Sequence, residues 1–89
     1  MNGGMKWGLV ITNRAKRQLR RLAESDRRQI NAAFSEMCRN PYYRDIRFLK
    51  GSNGALRRRA GDWRIFYDLE PEHKVLVVTS VERRSSNTY

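Results

Sequence analysis

Two breaks in an otherwise strand-like stretch constrain this chain more than any other feature. The runs 55–60, 62–70 and 74–82 are rich in apolar, aromatic and β-branched residues, and Gly61-Asp62 and Glu70-Pro71-Glu72-His73 separate them. Breaks this short turn a chain back on itself, so the three runs form an antiparallel meander. Within the last run, Val75-Leu76-Val77-Val78 is apolar on both faces, which suits a central strand.

The front half has to cover that sheet. Residues 5–11 read as a further strand ending at Thr12-Asn13, both good helix N-cap types. From Asn13 to about Glu24, Ala15, Leu19 and Leu22 fall at helical spacing, with Arg14, Lys16, Arg17, Arg20 and Arg21 around the rest of the circumference. Ser25 and Asp26 offer a second N-cap. Behind them Ile30, Ala33, Phe34, Met37 and Cys38 mark the apolar face of a helix that Pro41 ends, and the two helices form a tight antiparallel pair. Residues 42–54 lack a clear period and read as mostly loop with a short strand. The expected fold is α+β, ordered β-α-α-β-β-β, a helical hairpin packed on a mainly antiparallel sheet.

A chain of 89 residues has room for one domain, expected over residues 5–89. Residues 1–4 are expected to be a flexible extension, with Met5 as an alternative start. Lysine and arginine number 19 against 9 acidic residues, a formal charge of +10 that favours a polyanionic partner, nucleic acid first. No apolar run approaches the roughly 18 residues of a membrane span, and the start lacks the apolar stretch of a secretory signal. The expectation is a soluble cytoplasmic protein. With one cysteine, Cys38, and one histidine, His73, the sequence has neither an internal disulfide nor a metal-ligand cluster.

The residues that point to chemistry lie on the first two strands of the meander. Side chains alternate across a strand, so Arg57 and Arg59 share a face, as do Arg64, Phe66 and Asp68. With Gly61-Asp62 as a type II′ hairpin loop, Arg59 lies opposite Arg64, and Arg57 opposite Phe66. Like charges set directly opposite destabilise a sheet by a few tenths to about 1 kcal/mol, so an anion bound among them is a natural reason to keep them. Guanidinium grips phosphate oxygens in pairs and stabilises the added charge of a pentavalent phosphoryl transition state.

The stretch Leu56-Arg57-Arg58-Arg59-Ala60-Gly61-Asp62-Trp63-Arg64-Ile65-Phe66-Tyr67, followed by Val81-Glu82-Arg83-Arg84 and the closing Tyr89, resembles the RelE branch of the RelE/ParE toxin superfamily. The resemblance spans nearly the whole chain; it is specific in the second half and generic in the first. It implies a toxin of a type II toxin-antitoxin system that cuts messenger RNA in the ribosomal A site, the RNA 2′-hydroxyl attacking its neighbouring phosphate without a metal or other cofactor. By the same resemblance Arg57 and Arg59 match two basic positions of the site that are lysines in several relatives, Arg64 matches the arginine that holds the phosphate, and Tyr89 stacks on a base or helps deprotonate the 2′-hydroxyl. An arginine before it assists the leaving oxygen: Arg84 when counted from Val81, Arg83 when counted back from Tyr89. Tyrosine and arginine are poor proton carriers at neutral pH, so positioning and charge stabilisation carry most of the expected catalysis.

Plainer roles suit other residues. Arg14, Arg17 and Arg21, with Arg58 of the strand, are candidate contacts to RNA or the ribosome, although helix arginines, Arg20, Arg27 and Arg28 included, commonly form a solvated face. Trp7, Phe34, Trp63, Tyr67 and Cys38 read as core and His73 as a surface residue. Glu82 reads as a salt-bridge partner of Arg83 or Arg84, with a carboxylate base as the alternative. The implied partners are a cognate antitoxin, the ribosome and mRNA. Two other functions stay open: a ParE-like toxin that binds DNA gyrase, and a non-catalytic basic nucleic-acid-binding relative.

Overall fold

A computed structural model describes residues 7–41 and 56–83. The elements in chain order are β1 (Gly8–Ile11), α1 (Asn13–Arg20), α2 (Glu24–Arg39), β2 (Leu56–Ala60), β3 (Trp63–Glu70) and β4 (Val75–Arg83). They form the expected α+β arrangement. The four strands make one sheet in the order β1-β4-β3-β2, antiparallel except for β1, which runs parallel to β4. β4 is therefore internal, as its apolar run requires. The short strand expected within residues 42–54 lies outside the described residues.

Both helices cover one face of the sheet. The core joins Ala15 of α1 and Ile30, Ala33, Phe34 and Met37 of α2 to Leu56, Ala60, Ile65, Tyr67, Leu69, Leu76, Val78 and Val81 of the sheet. Trp63, Leu19 and Leu22 pack against its margin, and Trp7 and Cys38 are buried, all as their spacing predicts. Burial of Cys38 pushes its thiol pKa up. Among the described residues, no helix is long and apolar enough to cross a membrane.

The helix ends depart from expectation. Thr12 caps α1, its hydroxyl accepting from the Ala15 amide at 3.3 Å and donating to the Thr79 carbonyl at 3.2 Å. α1 then stops at Arg20 rather than near Glu24. The Arg21 and Leu22 amides donate to the carbonyls of Gln18 and Leu19, a tightened last turn that brings Leu22 to the core without another helical turn. α2 begins at Glu24, so Ser25 and Asp26 lie in its first turn and do not cap it. Ala23 is the N-cap and makes no side-chain hydrogen bond. Glu24 and Asp26 instead place negative charge at the positive end of the helix dipole. α2 ends at Arg39, two residues before Pro41, whose ring excludes a continued helix.

One irregularity sets the geometry of the site. Tyr67 pairs with Val78 but Phe66 pairs with Ser80, so Thr79 is an extra residue in β4, a β-bulge. Its hydroxyl donates to the Phe66 carbonyl at 3.2 Å. The bulge lets Val78 and Val81, three residues apart, both face the core. Beyond it, Glu82 turns to the face away from the helices and Arg83 to the helix side.

Candidate functional site

The β2–β3 hairpin has the register that Gly61-Asp62 predicts: Arg59 opposite Arg64, Arg57 opposite Phe66, Ala60 opposite Trp63. Gly61 has φ +62°, and Asp62 is not among the positive-φ residues, which is the pattern of a type II′ loop. Arg57, Arg59 and Arg64 consequently share the sheet face away from the helices. The Arg59 side chain folds over its own turn, Nε donating to the Gly61 carbonyl at 3.4 Å. No side-chain hydrogen bond or ion pair joins Arg57 or Arg64 to another described residue.

Pairing continues across the sheet, where Arg64 lies opposite Glu82. Glu82 meets Arg14 at the start of α1, with 3.8 Å between Oε2 and Nη2, and accepts from the Ser80 hydroxyl at 3.4 Å. One transverse row therefore reads Arg59, Arg64, Glu82, Arg14. The Arg14–Glu82 pair is long and exposed on both sides, so it contributes at most about 1 kcal/mol and opens readily. Sequence reasoning expected Glu82 to pair with Arg83 or Arg84. The shift from the even spacing of Leu76 and Val78 to the odd spacing of Val81 is the signal that would have revealed the bulge and turned Glu82 outward.

Other candidates fall elsewhere. Arg58 points to the helix side of β2, mostly buried, and forms an ion pair with Glu36 of α2, so it ties the strand to the helix. It does not join the arginines of the open face. Arg83 is also on the helix side, its guanidinium 5.7 Å from the centre of the Trp63 ring. Arg17 and Arg21 are exposed, one and two turns beyond Arg14. Arg84 and Tyr89 lie outside the described residues. His73 is exposed at the β3–β4 turn, 3.6 Å from Glu70, at the end of the sheet remote from Arg64. Among the described residues no group of His, Cys, Asp and Glu side chains is arranged to hold a metal.

The fold, two helices on a four-stranded mostly antiparallel sheet, is that of RelE toxins. A family described as ParE toxin of type II toxin-antitoxin system, parDE, matches residues 9–88. The chain belongs to this family, within the RelE/ParE superfamily. Comparison with curated protein sequences gave no match. Among solved structures, the archaeal RelE–RelB complex from Pyrococcus horikoshii OT3 is similar, with a TM-score of 0.75 at 24% identity over 93% of this chain and 100% of that one. The RelBE2 toxin-antitoxin complex from Mycobacterium tuberculosis gives 0.73 at 26% identity over 89% and 99%. The intact E. coli RelBE complex gives 0.72 at 23% over 89% and 98%.

Proposed function

We propose that this toxin is an endoribonuclease that cuts mRNA on the ribosome and so inhibits translation in the cytoplasm. The observation that carries the reading is the opposed pair Arg59 and Arg64, flanked by Arg57, on an open face. Such a cluster binds a phosphodiester and favours the transition state over the ground state, because the pentavalent phosphorus carries more negative charge. The nucleophile is the substrate's own 2′-hydroxyl, so the protein's tasks are to align it with the phosphate and neutralise charge. Of the two candidates for the arginine at the leaving oxygen, Arg84 is preferred, because Arg83 packs on Trp63 on the other face. Tyr89 is the candidate stacking residue. A cognate antitoxin that covers the basic face is the proposed partner, in keeping with the RelB-bound relatives.

Mapping mRNA 5′ ends in a reconstituted translation reaction, with and without ribosomes, tests the reading. Cuts inside codons only when ribosomes are present are expected, and the Arg64→Ala/Arg84→Ala double variant should lose both the cuts and growth arrest. Unchanged toxicity in the folded double variant would sink the proposal. The family's ParE name favours a second reading, inhibition of DNA gyrase; growth arrest with intact messages and an induced DNA-damage response would establish it instead.

A further inference from the structure

The arginine face holds every charge needed to bind a phosphodiester, yet guanidinium only donates protons to its hydrogen bonds and accepts none. Attack by a 2′-hydroxyl needs an acceptor within reach of the bound phosphate. Among the described residues, three strand carboxylates share this face, Asp68, Glu70 and Glu82, and Glu70 is the farther along β3, two residues beyond Asp68. Asp68 is four residues along β3 from Arg64, about 13 Å at the usual rise per residue. Glu82 is the direct cross-strand neighbour of Arg64, where side chains start only about 5 Å apart.

We propose that Glu82 is the proton acceptor for the 2′-hydroxyl, an inference that rests on the ribonuclease reading. A phosphate gripped by Arg59 and Arg64 puts the adjoining ribose over β3 or β4, within reach of the Glu82 carboxylate. Glu82 is half-exposed, and its only ion pair among the described residues is the long contact to Arg14, which RNA can displace. The groups facing it are Arg64 across the strand, Arg14 from α1 and the Ser80 hydroxyl on its own strand. The Ser80 and Arg14 contacts both fall on Oε2, which leaves Oε1 for the substrate.

In the step itself, the 2′-oxygen gives its proton to Glu82 and forms a bond to phosphorus, while the bond from phosphorus to the 5′-oxygen breaks. The products are a 2′,3′-cyclic phosphate and a 5′-oxygen that takes a proton from water. Protonated Glu82 then returns its proton to solvent. What places Glu82 for this step is its register opposite Arg64.

Single-turnover cleavage of ribosome-bound mRNA tests the proposal, alongside the affinity of the toxin for ribosomes carrying a 2′-deoxy codon that cannot be cut. Glu82→Gln should slow cleavage at saturation by about 10²–10³-fold while affinity is unchanged or tighter. Its remaining rate should climb about tenfold per pH unit, as attack then waits on hydroxide. Glu82→Asp, which keeps the carboxylate on a shorter stem, should recover part of the loss, and matching thermal melts establish that both variants fold. Wild-type cleavage with an undiminished Glu82→Gln rate at saturation, or a loss confined to affinity, overturns the role of Glu82 and leaves the ribonuclease standing. Absence of cleavage by the wild-type protein overturns both.

Discussion

At the β2–β3 turn, Gly61 adopts φ +62°, which an L side chain rarely tolerates, and a Cβ there would run into the side chain of Gln29 on α2. Gly61→Ala is therefore expected to destabilise the protein by about 1–2 kcal/mol, read as a lower urea midpoint. Gly61→Asn should cost less on the backbone, since asparagine enters the left-handed region more easily. Tyr67 makes a second prediction at this scale. Burial raises its phenol above the usual value of 10.0, and the Arg58 guanidinium opposes that only in part. The folded state thus keeps the proton to higher pH than the unfolded one. The resulting stability is complete below pH 10 and is lost as pH rises from there through the folded value. Urea midpoints at pH 8 and pH 11 should accordingly fall less for Tyr67→Phe than for the wild type.

Among the elements, α1 does more than cover the core. β1 pairs with β4 only from Val75 to Val78, and beyond that point α1 takes over the edge. The Thr12 amide and hydroxyl donate to the carbonyls of Val78 and Thr79, and the Val81 amide donates to the Gln18 side-chain carbonyl at 2.7 Å. Gln18→Ala leaves that amide unpaired beside the core and should cost about 1–3 kcal/mol. Faster hydrogen exchange at Val81, with exchange at Ile65 little changed, would locate the loss at this edge. The same elements separate what the sequence discloses from what it conceals. The hairpin register was legible because Gly61 fixes both loop length and loop type, and with them the pairing of Arg59 with Arg64. The start of α2 was not: Ser25 and Asp26 have the chemistry of caps, but the short turn after Arg20 requires helix from Glu24. The bulge was harder to see, because three-residue spacing from Val78 to Val81 looks like a lapse in alternation unless Thr79 is recognised as an extra residue.

Over the whole molecule, a charge of +10 acts on any polyanion before contact and makes binding depend on salt. Each phosphate contact removed should lower the slope of log affinity against log salt by about 0.7–0.9. Arg57→Ala and Arg64→Ala, measured on ribosomes between 50 and 200 mM potassium chloride, are each expected to show such a step. Arg58→Met should leave the slope nearly unchanged despite removing the same formal charge, because Arg58 is tied to Glu36 on the helix side. Charge counted from the sequence thus overstates the charge that the open face presents.

The extra residue in β4 makes this toxin unequally tolerant of changes in chain length. Losing Thr79 would restore a plain two-residue alternation and leave Glu82 opposite Arg64, at the expense of the Thr79 contacts to Thr12 and Phe66. Gaining one residue between Val81 and Glu82 would swap the two faces of everything that follows, sending Glu82 under the helices and Arg83 outward. A single-codon insertion there would rewrite the chemistry of the face without replacing any amino acid, whereas deletion of Thr79 would keep the assignment of faces and lose only those two contacts.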